Sequence, residues 1–181
     1  IVAIWSSPVG SRLRQTAAFP DFVDLRRDAS SFEHVAAYNP DRAILREADG
    51  PTPLFGTLAT ADLFPLLGVQ PEIGRWFAAD EDRVGGAPVV VLSHDAWERY
   101  FRSDPRVVGS AVSLGDRSVT VVGVMPPDFK FPADRGRVDY YVPMTPAVAE
   151  QIDRRSDQFL KCVARLKTGV TVDQAQAELM G

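Results

Sequence analysis

Three consecutive residues, Ser93, His94 and Asp95, are of the types that form a hydrolytic triad. In such a triad the serine attacks the substrate, the histidine removes its proton and the aspartate orients the histidine. Consecutive side chains point in different directions, so these three cannot line up for that proton transfer. The segment instead predicts the start of a helix, with Ser93 as the N-cap and Asp95 in the first turn, where the helix dipole favours a carboxylate.

Metal-ligand spacings are absent from the sequence. The two histidines, His34 and His94, have no second histidine or cysteine at the spacing of a zinc ligand. We expect both on the solvated surface. The acidic triplet Asp80, Glu81 and Asp82 lacks the spaced oxygen ligands and the turn glycine of a calcium loop, which favours an exposed acidic loop. The sequence therefore predicts no metal-binding residues.

Patterns for a nucleophile or a cofactor are also missing. The one cysteine, Cys162, falls on the apolar face of a predicted strand, which indicates a buried and unreactive thiol. A single cysteine also excludes an intrachain disulfide. The sequence contains no glycine-rich loop of the kinds that cradle phosphates, so no nucleotide cofactor is expected. We therefore predict no catalytic and no cofactor-binding residues, and we do not expect an enzyme.

Two other functions stay open on the residues alone. A stand-alone ligand-binding module could line an apolar pocket with large aromatic side chains. The aromatic residues considered for this are Trp5, Trp76, Trp97, Tyr140 and Tyr141. A small hydrolase could use scattered carboxylates such as Asp80 and Asp139, and it is the weakest of the alternatives.

Length and charge limit the partners. With 181 residues, 45% of them hydrophobic, the chain can bury a sizeable core. Its 20 basic and 24 acidic side chains give a formal net charge of −4, and the basic ones are scattered. Because nucleic-acid binding needs a clustered basic face, we expect no nucleic-acid partner. The sequence has no apolar run of the roughly 18 residues that a membrane-spanning helix needs.

The opening third predicts strand, helix, strand, strand. A β-branched run predicts a strand over residues 1–6, and a proline in the first turn precedes a helix near 20–29 with its aromatic side inward. Residues 39–41, Asn-Pro-Asp, predict a turn. Strands are expected after this turn, over 42–48 and 54–58.

The centre of the chain predicts a short helix, a buried strand and a hairpin. The helix near residues 61–67 ends at a glycine. The uninterrupted apolar run 89–92 indicates a strand buried on both faces. Strands over 110–114 and 118–124 flank Gly-Asp, a pair that suits a tight hairpin turn, and a short strand follows at 140–142.

The last part of the chain predicts a strand followed by a helix. Residues 158–167 alternate between apolar and basic side chains, as a half-buried strand does. Thr171 and Gln174 form a capping-box pattern that opens the helix. The apolar residues at helical spacing are Val172, Ala175 and Leu179. A strand-helix unit needs a second strand to close it, which we expect in a longer parent protein of which this chain is a piece.

Five segments share their order and spacing with a known family. Residues 62–77, DLFPLLGVQPEIGRWF, place Leu-Gly-Val, a proline and Gly-Arg before an aromatic. An apolar strand with an aromatic helix follows at 89–101, and then a hairpin at 107–126 ends in Val-Gly-Val and a proline. The strand at 141–144 and the strand at 164–167 before Gly-Val-Thr complete the set. Together they resemble the MacB-like periplasmic core domains of ABC-transporter permeases.

The resemblance implies a domain outside the cytoplasmic membrane, between two transmembrane helices of a permease. It implies an α+β fold in which residues 1–58 and 156–181 build a porter-like subdomain and residues 59–155 build an inserted, smaller mixed subdomain. The implied function is non-catalytic: the domain relays conformational change and contacts partner proteins or substrate in export.

The resemblance also implies partners. Because the sequence has no Walker motif, ATP hydrolysis would belong to a separate ABC ATPase domain or subunit. Relatives dimerise, and some engage a periplasmic adaptor, so a second permease copy and an adaptor are candidate partners. The family's adaptor-contacting positions are not fixed by any motif that matches here, so no binding residues are assigned.

Overall fold

A computed structural model describes residues 1–6, 15–47, 50–134 and 136–180 of the chain. It has a mixed α+β fold, as the sequence predicts. The chain divides into two compact units. The end unit comprises Ile1–Asn39, Asp62–Gly68 and Val148–Gly181, and the middle unit comprises Pro40–Ala61 and Val69–Ala147.

The elements are numbered in chain order. The strands are β1 (Val2–Ile4), β2 (Phe32–Glu47), β3 (Gly50–Ala59), β4 (Ile73–Gly74), β5 (Val89–Leu92), β6 (Ala111–Leu114), β7 (Arg117–Val124), β8 (Tyr140–Pro143) and β9 (Lys161–Leu166). The α-helices are α1 (Phe19–Asp28), α2 (Leu63–Leu67), α3 (His94–Phe101), α4 (Met144–Ala147) and α5 (Val172–Met180), with a 3₁₀-helix at Pro105–Val107.

In the end unit β9 lies between β1 and β2 and is antiparallel to both. β1 and β2 are therefore parallel, and α1 connects them. The half-buried pattern predicted for β9 is wrong at Val163, which is only 7% exposed although it points away from the apolar face. A central strand is covered more fully than the alternation of its own residues suggests.

Helix α1 begins at Phe19, with the predicted proline in its first turn. Phe19 and Phe22 are buried and their rings meet edge to face at 6.0 Å. The aromatic side therefore packs inward as predicted. Val23, which follows Phe22 in the sequence, lies at the edge of this buried side and is 44% exposed.

The predicted turn at residues 39–41 is wrong, because β2 runs through it without a break. Pairing of β2 with β9 ends at Tyr38, so that ladder needs no amide hydrogen from Pro40. The φ angle that proline imposes is also compatible with an extended chain. The residues that predict a turn lie inside one long strand, and the boundary between the two units falls there, between Asn39 and Pro40.

In the middle unit the strand order is β3, β8, β5, β7, β4, and β6 pairs with β7. All four residues of β5 and all four of β8 are buried. The predicted burial of β5 on both faces is confirmed. The predicted hairpin is also confirmed: β6 and β7 pair antiparallel around Gly115, whose φ of +63° suits glycine.

Candidate interaction surface

The three residues of the triad type bond to three different partners. The Ser93 hydroxyl accepts a hydrogen bond from the Ala96 amide at 3.1 Å, which confirms the predicted helix cap. His94 Nδ1 lies 2.7 Å from Glu72 Oε2, and Asp95 Oδ2 accepts from Lys130 Nζ at 3.0 Å. No proton relay connects these three side chains. His94 is paired and three-quarters buried rather than solvated as predicted, because Glu72 reaches it from a distant part of the sequence.

The acidic triplet is not an exposed loop, except at Asp80. Glu81 is 8% exposed, and its carboxylate accepts two hydrogen bonds from Arg75, at 2.7 and 2.8 Å, and one from the Ala78 amide. The Arg75 guanidinium lowers the pKa of Glu81 below its ordinary value. The sequence could not show this, since charge runs are usually solvated.

Asp82, the third acid of the triplet, ties two separate segments together. Its Oδ2 accepts from the Ala61 amide and its Oδ1 accepts from the Thr145 amide, both at 2.9 Å. Within the described residues we find no cluster of three or more His, Cys, Asp or Glu side chains that could hold a metal ion.

Cys162 and Asp139 are buried in different units. Burial raises the pKa of the Cys162 thiol to about 12, so the prediction of a buried thiol is confirmed. Asp139 has no exposed surface, and its carboxylate accepts from the Phe55 amide at 2.9 Å and from Arg137 Nε at 2.7 Å. A carboxylate held in this way supports β3 and is not open to a substrate.

The aromatic residues do not surround one pocket. Trp97, Tyr140 and Tyr141 are at most 7% exposed, and burial raises the pKa of both tyrosines. Their polar atoms bond inside the middle unit: the Trp97 indole donates to the Asp104 carbonyl, and the Tyr140 hydroxyl donates to Asp41, each at 2.9 Å. These three rings belong to the core of the middle unit.

The end unit instead carries an apolar groove between β1 and α5. It has a volume of about 420 Å³, and every side chain that lines it except Gln176 is apolar. The large side chains along it are Trp5, Phe32, Leu166, Val172, Leu179 and Met180. We call this feature the β1–α5 groove.

The groove is open because, among the described residues, apolar side chains on one face of α5 stay exposed. The predicted capping box is confirmed, since the Thr171 amide donates to Gln174 Oε1 and the Gln174 amide donates to the Thr171 hydroxyl. Of the three apolar residues at helical spacing, Ala175 is 4% exposed, whereas Val172 is 57% and Leu179 is 43% exposed. The spacing that predicts this face could have identified the surface, but not that it stays open.

A second feature of the end unit is the anchoring of α2. Arg165 on β9 donates through Nε to the Leu66 carbonyl at 2.8 Å and through a second guanidinium nitrogen to the same oxygen. Asp62, before the helix, pairs with Arg26 at 2.7 Å. Gly68 ends the helix with a φ of +69°, as predicted. The chain enters and leaves the middle unit on either side of this helix.

Comparisons with known proteins agree on one family. The profile of the MacB-like periplasmic core domain matches residues 1–181. The periplasmic region of MacB from Actinobacillus actinomycetemcomitans is similar, with 18% identity, a TM-score of 0.69, and coverage of 98% of this chain and 78% of that one.

The extracellular domain of the noncanonic ABC-type transporter YknZ from Gram-positive bacteria is also similar. The identity is 16%, the TM-score is 0.66, and the match covers 90% of this chain and 78% of that one. A search of curated protein sequences gave no match. Among the described residues, no helix has the length and apolar character needed to cross a bilayer.

Proposed function

Because the chain belongs to the family of MacB-like periplasmic core domains, which are extracytoplasmic parts of ABC-transporter permeases, we propose that it relays conformational change during export without catalysing a reaction. The observation that carries this proposal is the family match over the whole chain, together with a fold shared with two such domains. Of the side chains weighed for chemistry, Glu81, Asp82, Asp139 and His94 bond to structural partners, which supports a role in packing and contact.

The path of the chain supports a relay. The polypeptide passes between the units at residues 39–40, 61–62, 68–69 and 147–148, so four covalent connections join them. Two of these connections flank α2, whose ends are fixed by Arg165 and by the Arg26–Asp62 ion pair. A displacement of β9 would therefore be passed through α2 to the segments that follow it.

The partners follow from the family. The energy would come from an ABC ATPase subunit acting through the full-length permease. A second permease copy and a periplasmic adaptor protein are the proposed contacts outside the membrane. In this proposal the end unit, with β1-α1-β2 and β9-α5, serves as the porter-like subdomain.

The parent polypeptide gives the first test. We expect an apolar span of about 20 residues upstream of Ile1 and another downstream of the domain. A parent polypeptide without an upstream span would contradict the proposal.

The second test uses the full-length permease with its ATPase subunit in lipid. Cysteines at two exposed positions, Glu33→Cys and Asp128→Cys, are labelled with a maleimide, while the buried Cys162 stays unreactive. We expect the labelling rate at one or both positions to differ between the nucleotide-free and the ATP-bound states. Equal rates at both positions, with an active ATPase, would contradict a relay.

The anchor of α2 is tested in the same assay. Arg165→Ala removes the bonds to the Leu66 carbonyl and should reduce the nucleotide-dependent difference in labelling. Arg154→Ala is the control, because the side chain of this arginine is 62% exposed and forms a long ion pair of 3.7 Å with Asp157. Loss of the difference in both variants, or in neither, would argue against a specific role for α2.

A further inference from the structure

Three arginines that are far apart in the sequence come together on the surface of the middle unit. The guanidinium carbon of Arg42, on β2, lies 5.7 Å from the centre of the Phe55 ring on β3. The guanidinium carbon of Arg137 lies 5.6 Å from the centre of the same ring and 5.9 Å from that of Tyr100 on α3. The guanidinium carbon of Arg99 also lies 5.9 Å from the centre of the Tyr100 ring. We call these five residues the arginine–aromatic stripe.

The arginines at the two ends of the stripe have no carboxylate partner. All three arginines are exposed, and Arg137 pairs with the buried Asp139 at 2.7 Å. In the part of the chain that the structure describes, neither Arg42 nor Arg99 forms an ion pair or donates a hydrogen bond to a protein group. Two positive charges therefore remain unpaired on the stripe, although the formal net charge of the chain is −4.

This arrangement suits an anionic ligand. A guanidinium that lies against an aromatic ring keeps N–H donors at its edge, where it can donate two parallel hydrogen bonds to one carboxylate. Contact with the ring also restricts the arginine side chain, so less conformational entropy is lost when a ligand binds. Positive charges beside the same ring repel each other, and a bound anion reduces that repulsion. Arg42 and Arg99 are thus positioned to bind carboxylates.

The size and charge of the stripe favour an acidic peptide over other anions. A nucleic acid needs a larger basic face than two unpaired arginines provide. An anionic membrane surface is repelled by the negative net charge of the chain. The steps along the stripe measure 5.6 to 5.9 Å, so an extended segment of at most about seven residues spans it. Such a segment, with a carboxylate near each end, can reach Arg42 and Arg99 together.

We infer that the arginine–aromatic stripe binds a short acidic segment of a partner protein, whose carboxylates pair with Arg42 and Arg99. The inference rests on the charges and rings of the middle unit and goes beyond the proposed relay, which assigns no contact residues. In the sequence these arginines are scattered, and only the fold brings them to one surface.

Fluorescence anisotropy of a labelled octaglutamate peptide tests the inference. The full-length permease is used in discs of neutral phosphatidylcholine at low ionic strength. We expect the peptide to bind, and its affinity to fall as salt is added, because salt screens exposed charges. Arg42→Gln and Arg99→Gln should each weaken binding about twofold to fivefold, which corresponds to the loss of one exposed ion pair. The double variant should bind more weakly than either single variant.

Two further variants of the middle unit serve as controls. Arg106→Gln changes the net charge by the same amount, but this arginine already pairs with Asp104 at 2.7 Å. It should leave peptide binding unchanged. Glu98→Gln removes the exposed acidic side chain that precedes Arg99 on α3, so it should strengthen binding.

Three results would overturn the inference. Equal weakening by Arg106→Gln and by the two stripe variants would indicate attraction by overall charge alone. Absence of peptide binding would also contradict it. So would binding to phosphatidylglycerol vesicles or to oligothymidine in place of the peptide. The assay needs no nucleotide, so peptide binding by a permease that shows no nucleotide-dependent labelling would refute the relay alone.

Discussion

The two units differ in which side chains they bury and which they expose. Five polar or charged residues are buried among the described residues, and all of them lie in the middle unit: Thr57, Thr60, Glu81, Ser93 and Asp139. In the part of the chain that the structure describes, eight large hydrophobic side chains are exposed, and six of them lie in the end unit: Ile1, Trp5, Val23, Val172, Leu179 and Met180. In the middle unit the buried carboxylates of Glu81 and Asp139 accept hydrogen bonds from that unit's own groups, whereas the buried Thr57 hydroxyl has no hydrogen-bond partner. The end unit instead leaves large apolar side chains exposed.

This difference has a physical basis. A buried carboxylate is tolerated only when hydrogen-bond donors surround it, and in the middle unit Asp139 and Glu81 each accept such bonds. An exposed apolar patch of several large side chains is typical of a contact surface. Substitutions should therefore be costly in the interior of the middle unit and nearly neutral on the open face of α5.

The largest effect is expected at Asp139. Asp139→Ala removes the acceptor of the Phe55 amide and the partner of Arg137, so the free energy of unfolding should fall by about 3 kcal/mol. Urea unfolding in a Trp5→Phe background measures it, because the remaining tryptophans, Trp76 and Trp97, both report on the middle unit. A loss below about 1 kcal/mol would contradict a stabilising role for these two hydrogen bonds.

The next effect is expected at Gly56 on β3, which lies opposite Tyr140 of β8. A Cβ atom at Gly56 would lie 2.2 Å from the ring of Tyr140, which has no exposed surface. Gly56→Ala should therefore lower the free energy of unfolding by about 2 kcal/mol through overpacking. Gly136→Ala is the matched control, because a Cβ there meets no atom within 4 Å. Equal melting temperatures for the two variants would contradict this close contact.

A smaller and pH-dependent effect is expected at Glu81. Its pKa is lowered in the folded state by Arg75, so the ionised side chain stabilises the fold fully above its ordinary value of 4.5. That contribution is lost as the pH falls through the lowered pKa. Glu81→Gln should cost about 1 to 2 kcal/mol at pH 7, and the difference from the unsubstituted chain should shrink in acid. Urea unfolding across this pH range measures it, and a difference that grows in acid would contradict the assignment.

The smallest effect is expected on the open face of α5. Leu179→Asp should change the free energy of unfolding of this chain by less than about 1 kcal/mol, because the side chain is 43% exposed. Ala175→Asp, on the same helix but 4% exposed, should cost at least about 2 kcal/mol, because it buries an unpaired carboxylate. Thermal unfolding followed by circular dichroism compares them. Similar losses in both would mean that this face is already covered.

Most elements of both units are predictable from local patterns, and the candidate surface is not. The helix starts at Ser93 and Thr171, the end of α2 at Gly68 and the hairpin at Gly115 depend on neighbours within a few residues. The β1–α5 groove depends on which faces another segment covers. Helical spacing marks the apolar residues of α5 but does not say whether a partner packs against them.

The sequence by itself determined the helix caps at Ser93 and Thr171, the hairpin turn at Gly115, and the burial of β5 and of Cys162, because each follows from a pattern of residues close together in the chain. Only the tertiary structure decided that β2, which pairs with β9, continues through Pro40, that Asp82 accepts hydrogen bonds from the Ala61 and Thr145 amides, and that His94 pairs with Glu72. These features need residues that lie far apart in sequence to come together. Long-range pairing is a property of the whole fold, so no local pattern could have indicated it.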